Sequence, residues 1–418
     1  MTRASAVTSD LTGMIGPRLP ALAASLVACA VLAQAQPEYQ EAWQLALLEL
    51  DDGDTLRLPT GTYQLTESLL VDGLDDIVIE GAGRGATVLQ FGGQRAGAEG
   101  LKVSNCDRVT LRGFTVLDTA GDAIKAQGCA GITFADVETS WTGKPAATNG
   151  SYGLYPVQCS GVLIEGCRAR GASDAGIYVG QSRGIVVRDC HAVENVAGIE
   201  IENSTDAEVY GNLAEGNTGG ILVFDLPGLI VKAGGRVRVH GNRVLANNLG
   251  NFAPAGNIVA SVPPGTGVMV LATSDVEVYD NDILDHRTTS VAVVSYHITE
   301  LPIGDPDYDP IPHRVRVTGN RIARQRQWPA LKPRIGKLLA WKFGRRVPPL
   351  LYDGITRETL DGRAPTDSSV CFADNGADWA LLDAARGFAA LARNPPGLVC
   401  DDDGDDSDDP LARKTRRP

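Results

Sequence analysis

One strand recurs along this chain at a spacing near 23 residues, and no other feature limits the fold as much. It reads Val109-Thr-Leu-Arg-Gly, Ile132-Thr-Phe-Ala-Asp, Val162-Leu-Ile-Glu-Gly-Cys167, Ile185-Val-Val-Arg-Asp-Cys190, Ala207-Glu-Val-Tyr-Gly-Asn212, Val237-Arg-Val-His-Gly-Asn242, Val276-Glu-Val-Tyr-Asp-Asn281 and Val315-Arg-Val-Thr-Gly-Asn320, with an earlier copy at Ile77-Val-Ile-Glu-Gly. Wider gaps between some copies are insertions into the same unit. A second alternating strand fills each unit: Ala123-Ile-Lys-Ala-Gln, Gly153-Leu-Tyr-Pro-Val-Gln158, Gly176-Ile-Tyr-Val-Gly-Gln181, Gly198-Ile-Glu-Ile-Glu-Asn203, Gly220-Ile-Leu-Val-Phe-Asp225 and Gly267-Val-Met-Val-Leu. Period-two alternation with no helical stretch inside the unit excludes leucine-rich repeats and βαβ folds. Stacked coils of strands remain, and a three-sided coil suits the period. The chain is predicted to be all-β, a right-handed parallel β-helix with equivalent residues stacked at about 4.8 Å.

Composition agrees. Gly supplies 48 of 418 residues while aromatics are only 6%, so the core must be built from small and β-branched side chains, and a helix bundle is disfavoured. A formal charge of −13 argues against nucleic acid as a partner.

The repeat predicts ladders. Asn212, Asn242, Asn281 and Asn320 share one position, where stacked amides can hydrogen-bond along the axis. Gln158, Gln181, Asn203 and Asp225 form another column, read as structural, with Asp225 breaking the amide series. Cys106, Cys129 and Cys159 fall in one column and Cys167 and Cys190 in another. They are read either as disulfide partners or as small thiols filling turns. Cys371 and Cys400 lie outside the repeats, where they can staple the C-terminal segment.

The ends differ from the middle. Arg18 is followed by an uncharged run from Leu19 to Leu32 and then Ala33-Gln34-Ala35, the small-x-small pattern of a signal-peptidase site. Residues 1–35 are therefore read as a signal peptide and the protein as exported, periplasmic or extracellular. Leu26-Val-Ala-Cys29 also fits a lipobox, which would make it an outer-membrane lipoprotein through Cys29. No segment is long and apolar enough to span a bilayer. Residues 36–60 read as an N-terminal cap, 61–325 as the β-helix, 326–400 as a mixed C-terminal cap that includes a helix from Trp379 to Phe388, and 401–418 as an acidic then basic disordered tail.

Four blocks carry a family resemblance: Thr148-Asn-Gly-Ser-Tyr-Gly-Leu-Tyr-Pro-Val-Gln158, Ala172-Ser-Asp-Ala-Gly-Ile-Tyr-Val-Gly-Gln181, Asn195-Val-Ala-Gly-Ile-Glu-Ile-Glu-Asn203 and Asn217-Thr-Gly-Gly-Ile-Leu-Val-Phe-Asp-Leu-Pro-Gly228. Over residues 40–320 the chain resembles a bacterial family of exported parallel β-helix repeat proteins that has no settled biochemical function. More remotely it resembles the right-handed β-helix enzymes of the pectate-lyase type, which include alginate and chondroitin lyases and mannuronan epimerases. That wider resemblance implies a polysaccharide partner, but fold alone does not give function.

Along the second strand Ile and Val point inward, so the alternate residues should face solvent. The outward column reads Lys125, Tyr155, Tyr178, Glu200, Leu222 and Met269, with Gln127, Gly180, Glu202 and Phe224 beside it. Insertions at Trp141–Ser151 and Leu249–Pro264 leave just before this strand and are expected to wall the face into a groove for an extended glycan. Lys125, Tyr155, Tyr178, Glu200 and Glu202 are the candidate catalytic residues, and Gln127, Asp174, Gln181 and Phe224 the candidate substrate-binding ones. Glu200 and Glu202, two residues apart on one strand, are about 6–7 Å apart. One reading is a calcium site completed by Asp225 or Asp174 from adjacent coils, and the pair resembles the Glu-x-Glu calcium site of chondroitinase-like lyases, while a glycosidic carboxylate pair is a second reading and a solvated acidic face a third. Elimination or C5 epimerisation needs a base and a group that neutralises developing charge; Tyr155 or Tyr178 suits the first and Lys125 the second. Yet Lys125 stands three coils, roughly 14 Å, from Glu200. The other class of function is a monomeric, non-catalytic glycan binder or surface scaffold, where tyrosines stack on sugar rings or the face meets another exported protein.

Overall fold

The computed structural model describes residues 36–361 and 369–400. The signal-peptide reading, Cys29 and the charged tail lie outside the described residues. No helix among these residues is long and apolar enough to cross a membrane.

Strands wind into three sheets of 11, 10 and 12 strands in which a strand pairs in parallel with the strand three further along, except at the end of the third sheet, where Leu350–Tyr352 pairs with Trp379–Leu381 and that strand pairs antiparallel with Ala392–Arg393. The result is a right-handed parallel β-helix. Its first rung begins at Thr55–Leu58, and the helix Gln36–Leu48 lies over the open N-terminal end, packing Trp43 and Leu47 onto the core. Ile124, Leu154, Ile177, Ile199, Ile221 and Val268 occupy one register column and are all fully buried.

The pattern Val-x-Val-x-Gly/Asp-Asn follows from the geometry of one corner. The two valines point inward, and the residue two places after the second has a left-handed backbone, as at Gly211 (φ 67°), Gly241 (φ 59°), Asp280 (φ 53°) and Gly319 (φ 63°). Glycine takes that conformation without penalty and aspartate tolerates it, which explains why only these two alternate there. The asparagine then turns inside. Nδ2 of Asn212, Asn242 and Asn281 donates to Oδ1 of the next asparagine at 2.8–2.9 Å, and Asn320 continues to Asn375 at 2.9 Å. Asn375 belongs to a further rung, Val370–Ala373, which the repeat reading stops short of. A second buried ladder runs Asn195, Asn217, Asn247 and ends on His286.

Cys106, Cys129 and Cys159 each donate to the carbonyl two residues back, as do the hydroxyls of Ser182 and Ser204 in later coils. They are buried free thiols that fill a turn, as are Cys167 and Cys190, whereas Cys371 and Cys400 form a disulfide.

Two expectations need correction. Trp379–Leu381 is a strand, not the start of a helix: it pairs with Leu350–Tyr352 and adds a rung to the third sheet. Asp383 then turns left-handed (φ 56°), and Gly387 ends the short helical turn Ala384–Arg386. The Gln158, Gln181, Asn203 column is real as a left-handed corner, but its side chains do not form a ladder. Gln181 accepts from the Ile230 and Val231 amides, and Asn203 donates to Leu226 and Val231 carbonyls, so both tie down the loop that follows Asp225.

Candidate functional site

Register on the third sheet stacks Lys102, Lys125 and Tyr155 on consecutive coils, and then Tyr178, Glu200, Leu222, Met269, Ala292 and Leu351. The outward column is therefore the one read from the sequence. Its exposure is not. Tyr178, Glu200, Glu202 and Phe224 are buried, with Glu200 only 1% exposed. The reason is the second insertion, whose Val259 and Val262 join Tyr178, Leu222 and Phe224 in a hydrophobic cluster outside the coil. From the other side Tyr308 closes in, its hydroxyl donating to the Asp225 carbonyl at 2.6 Å. The first insertion stays at the corner, with Trp141 Nε1 donating to the Thr119 carbonyl and Asn149 Nδ2 to the Gly171 carbonyl.

The strip thus has an open end and a closed end. At the open end Tyr152 and Tyr155 are half-buried, and with Tyr178 they form a trio of rings whose centroids are 4.5–5.0 Å apart. Lys125 Nζ lies 4.9 Å from the Tyr155 ring centroid and 3.9 Å from Glu99 Oε1. Tyr152 joins two carboxyls: its amide donates to Asp122 Oδ1 at 3.3 Å and its hydroxyl to Asp174 Oδ2 at 3.5 Å. Asn257, at the tip of the second insertion, donates to the same Asp174 oxygen at 3.0 Å. At the closed end the Tyr178 hydroxyl donates to Glu202 Oε1 at 2.6 Å, whereas Glu200 Oε2 is buried without a hydrogen-bond partner.

Burial dominates the electrostatics. Desolvation pushes Asp122 up to about 6, opposed by the charge of Lys125 and by the Tyr152 amide. Asp174 is pushed up to about 7 by burial and then by Glu202, against the bonds from Asn257 and Tyr152. Glu202 reaches about 7 for the same first reason, with the Tyr178 bond opposing. Glu200 is raised well above the usual carboxylate range by burial, then by Asp174 and Glu202. Burial, followed by Asp122, pushes the Tyr155 phenol up to about 12. Carboxyls that titrate near neutrality can give and take protons at working pH, which is what acid and base catalysts require.

Asp225 follows Phe224 on the coil next to Glu202, and its charge adds to the upward push on that carboxyl, but its own oxygens are turned to a backbone amide. Both its oxygens accept from the Gly234 amide, and burial holds it near 6. Among the described residues no group of three or more His, Cys, Asp or Glu side chains is placed to hold a metal ion. Gln181 is spent on the neighbouring loop, and Gln127 stays half-buried beside Lys125 on the open part of the strand.

Asp122, Tyr152, Glu99 and Asn257 were not legible as site residues from the outward alternation. Asp122 had a signal, since Asp122-Ala-Ile124 and Asp174-Ala-Gly-Ile177 both place an aspartate just before the inward isoleucine.

No curated protein matches the sequence. Among solved structures the chain is similar to the A-module of mannuronan C-5 epimerase AlgE4 from Azotobacter vinelandii, at 17% identity and a TM-score of 0.46 over 82% of this chain and 90% of that one. It is also similar to DFA-IIIase from Arthrobacter chlorophenolicus A6 (14%, 0.46, 72% of this chain and 85% of that one) and to polygalacturonase from Erwinia carotovora ssp. carotovora (11%, 0.45, 69% and 90%). Within the chain itself, residues 77–230 match the family model described as the right handed beta helix region.

Proposed function

We propose that the protein is exported and binds an extended polysaccharide along the open end of this strip, where it acts by proton transfer. One observation carries the reading: Tyr152 holds Asp122 and Asp174, carboxyls poised near 6 and 7, beside a tyrosine trio and Lys125. Asp122, largely ionised at neutral pH, serves as base; Asp174, about half protonated and itself buried beneath Asn257, serves as acid only through the half-buried Tyr152 hydroxyl, which takes the Asp174 proton as it gives its own to the ligand. Two carboxyls whose surroundings separate their roles are the working parts of glycosidic bond cleavage. Tyr152 and Tyr155 offer ring faces for sugars, and Lys125 offsets negative charge that develops beside them. The polysaccharide enzymes among the structurally similar proteins fit this reading. The Cys371–Cys400 disulfide supports an oxidising compartment.

The test is incubation of the mature protein with a panel of polysaccharides, with and without calcium, following ultraviolet absorbance for elimination and reducing ends for hydrolysis. New reducing ends that are lost in Asp122→Asn support the reading. Retardation in affinity electrophoresis without product, in every condition, replaces the enzyme by a binder. That second reading is favoured by the sealed position of Glu200 and Glu202, which leaves neither able to meet a ligand in this conformation.

A further inference from the structure

Beyond Leu222 the outward face of the third sheet changes character. Phe224, Met269, Leu271, Ala292, Val294 and Leu351 point away from the coil, so the solenoid core closes without them. An outward surface with no polar side chain over four coils is not needed to hold a β-helix together. The second insertion, the segment around Ile298 and the helix Arg334–Phe343 rise around this surface without filling it. They leave a cavity of about 1070 Å³. Asn248, Asn251, Ser261, Thr288, Thr289 and Thr299 also line it, but each already donates to a backbone carbonyl, and the outward floor positions are apolar, which separates the cavity from the tyrosine and carboxyl strip.

The rim is charged, and mostly of one sign. Arg287, Lys332 and Arg334 line the cavity against the single carboxylate of Glu300, in a chain of net charge −13. Arg334 pairs with Glu300 at 2.5 Å, and Arg287 Nε reaches only the Trp328 carbonyl at 3.4 Å. An apolar floor beneath an excess of cations is complementary to an aliphatic chain that ends in an anion, and the planar guanidinium forks suit a carboxylate. We infer that this cavity binds a long-chain carboxylate, with the chain over Met269 and Ala292 and the headgroup at Arg287 and Lys332. This inference is independent of the polysaccharide reading.

Titration of the purified mature protein with a dansyl-labelled undecanoic acid tests it. The expected result is saturable fluorescence at about one probe per chain, displaced by laurate and at least about tenfold more weakly by dodecanol. Ala292→Trp, which fills the cavity from the outer face of the strand, should abolish binding, and Met269→Trp serves as a second filling variant; circular dichroism checks that each folds. Lys332→Glu, at an exposed position, should weaken laurate without changing dodecanol. Absent or unsaturable binding, binding unchanged in both filled and folded variants, equal displacement by acid and alcohol, or displacement by an oligosaccharide would overturn the inference.

Discussion

Tyr178 donates its phenolic hydrogen to Glu202 at 2.6 Å inside a nearly closed compartment, where both side chains are buried. Beside this pair Glu200 has an oxygen with no partner at all. The insertion 249–264 that covers them contains no ionisable residue, so the compartment holds acids without a balancing cation from its roof. Such a group stays neutral when it can, because an unpaired buried charge is costly.

Stability should therefore fall as pH rises. Asp174 and Glu202 have folded-state values of about 7 against ordinary values of 3.8 and 4.5. A raised folded value means that the fold holds the proton more tightly than the unfolded chain, so this contribution is complete below about pH 4 and is lost by about pH 7. At about 1.4 kcal/mol per unit, the loss amounts to several kcal/mol. Urea unfolding at pH 5 and pH 8 measures it, and Glu202→Gln with Asp174→Asn should flatten the dependence. An increase in stability with pH across this window would contradict the assignment.

The roof is tied at its tip by Asn257 to Asp174. Asn257→Ala should raise amide exchange across residues 251–262 while leaving the coils beneath at wild-type protection, because the roof is outside the solenoid core. Exchange unchanged in that segment would show that the apolar contacts of Val259 and Val262 hold it without the tip.

Asn242 stands mid-ladder, accepting from the Asn212 amide and side chain and donating to Val209 and Asn281. Asn242→Ala strands several buried polar groups, each worth about 1–3 kcal/mol, and should lower stability by roughly 3 kcal/mol or more. Chemical denaturation reads the change, and a loss below about 1 kcal/mol would mean that water replaces the amide.

The disulfide joins the last rung to the segment after it across 29 residues. Replacing Cys371 and Cys400 by Ser should cost about 3–4 kcal/mol by the loop-closure relation, felt at the C-terminal rungs. Exchange should rise around Val370–Ala373 and remain unchanged near Ile124. Uniform loosening of the whole stack would contradict a local staple.

Legibility from the sequence followed periodicity. The coils could be read because the spacing of Val, Gly or Asp, and Asn is fixed by the corner they build, and the outward column could be read because alternation is strict. The rung at Val370-Cys-Phe-Ala-Asp-Asn375 repeats the same pattern, but it is separated from Asn320 by a long non-periodic segment that hides it. Trp379-Ala-Leu-Leu has the composition of a helix, and only pairing with Leu350–Tyr352 makes it a strand. The covering of Glu200 could not be read, since alternation says which side chains leave the coil and not what lies above them. Asp122 and Asp174 meet through Tyr152, a contact between coils that no local pattern announces.

A polysaccharide held on the open strip of Asp122, Lys125, Tyr152 and Tyr155 must lose its grip when the outward side chains of that strip are removed. Affinity electrophoresis of the wild type and of a Lys125→Ala, Tyr155→Ala double variant across the polysaccharide panel measures this. Both residues are half-buried on the outer side of the strand, so thermal unfolding should move by no more than a few degrees. The expected result is retardation of the wild type by at least one polysaccharide and a loss of at least about tenfold in affinity in the folded double variant. Retardation by none, or equal retardation of both proteins, would contradict it.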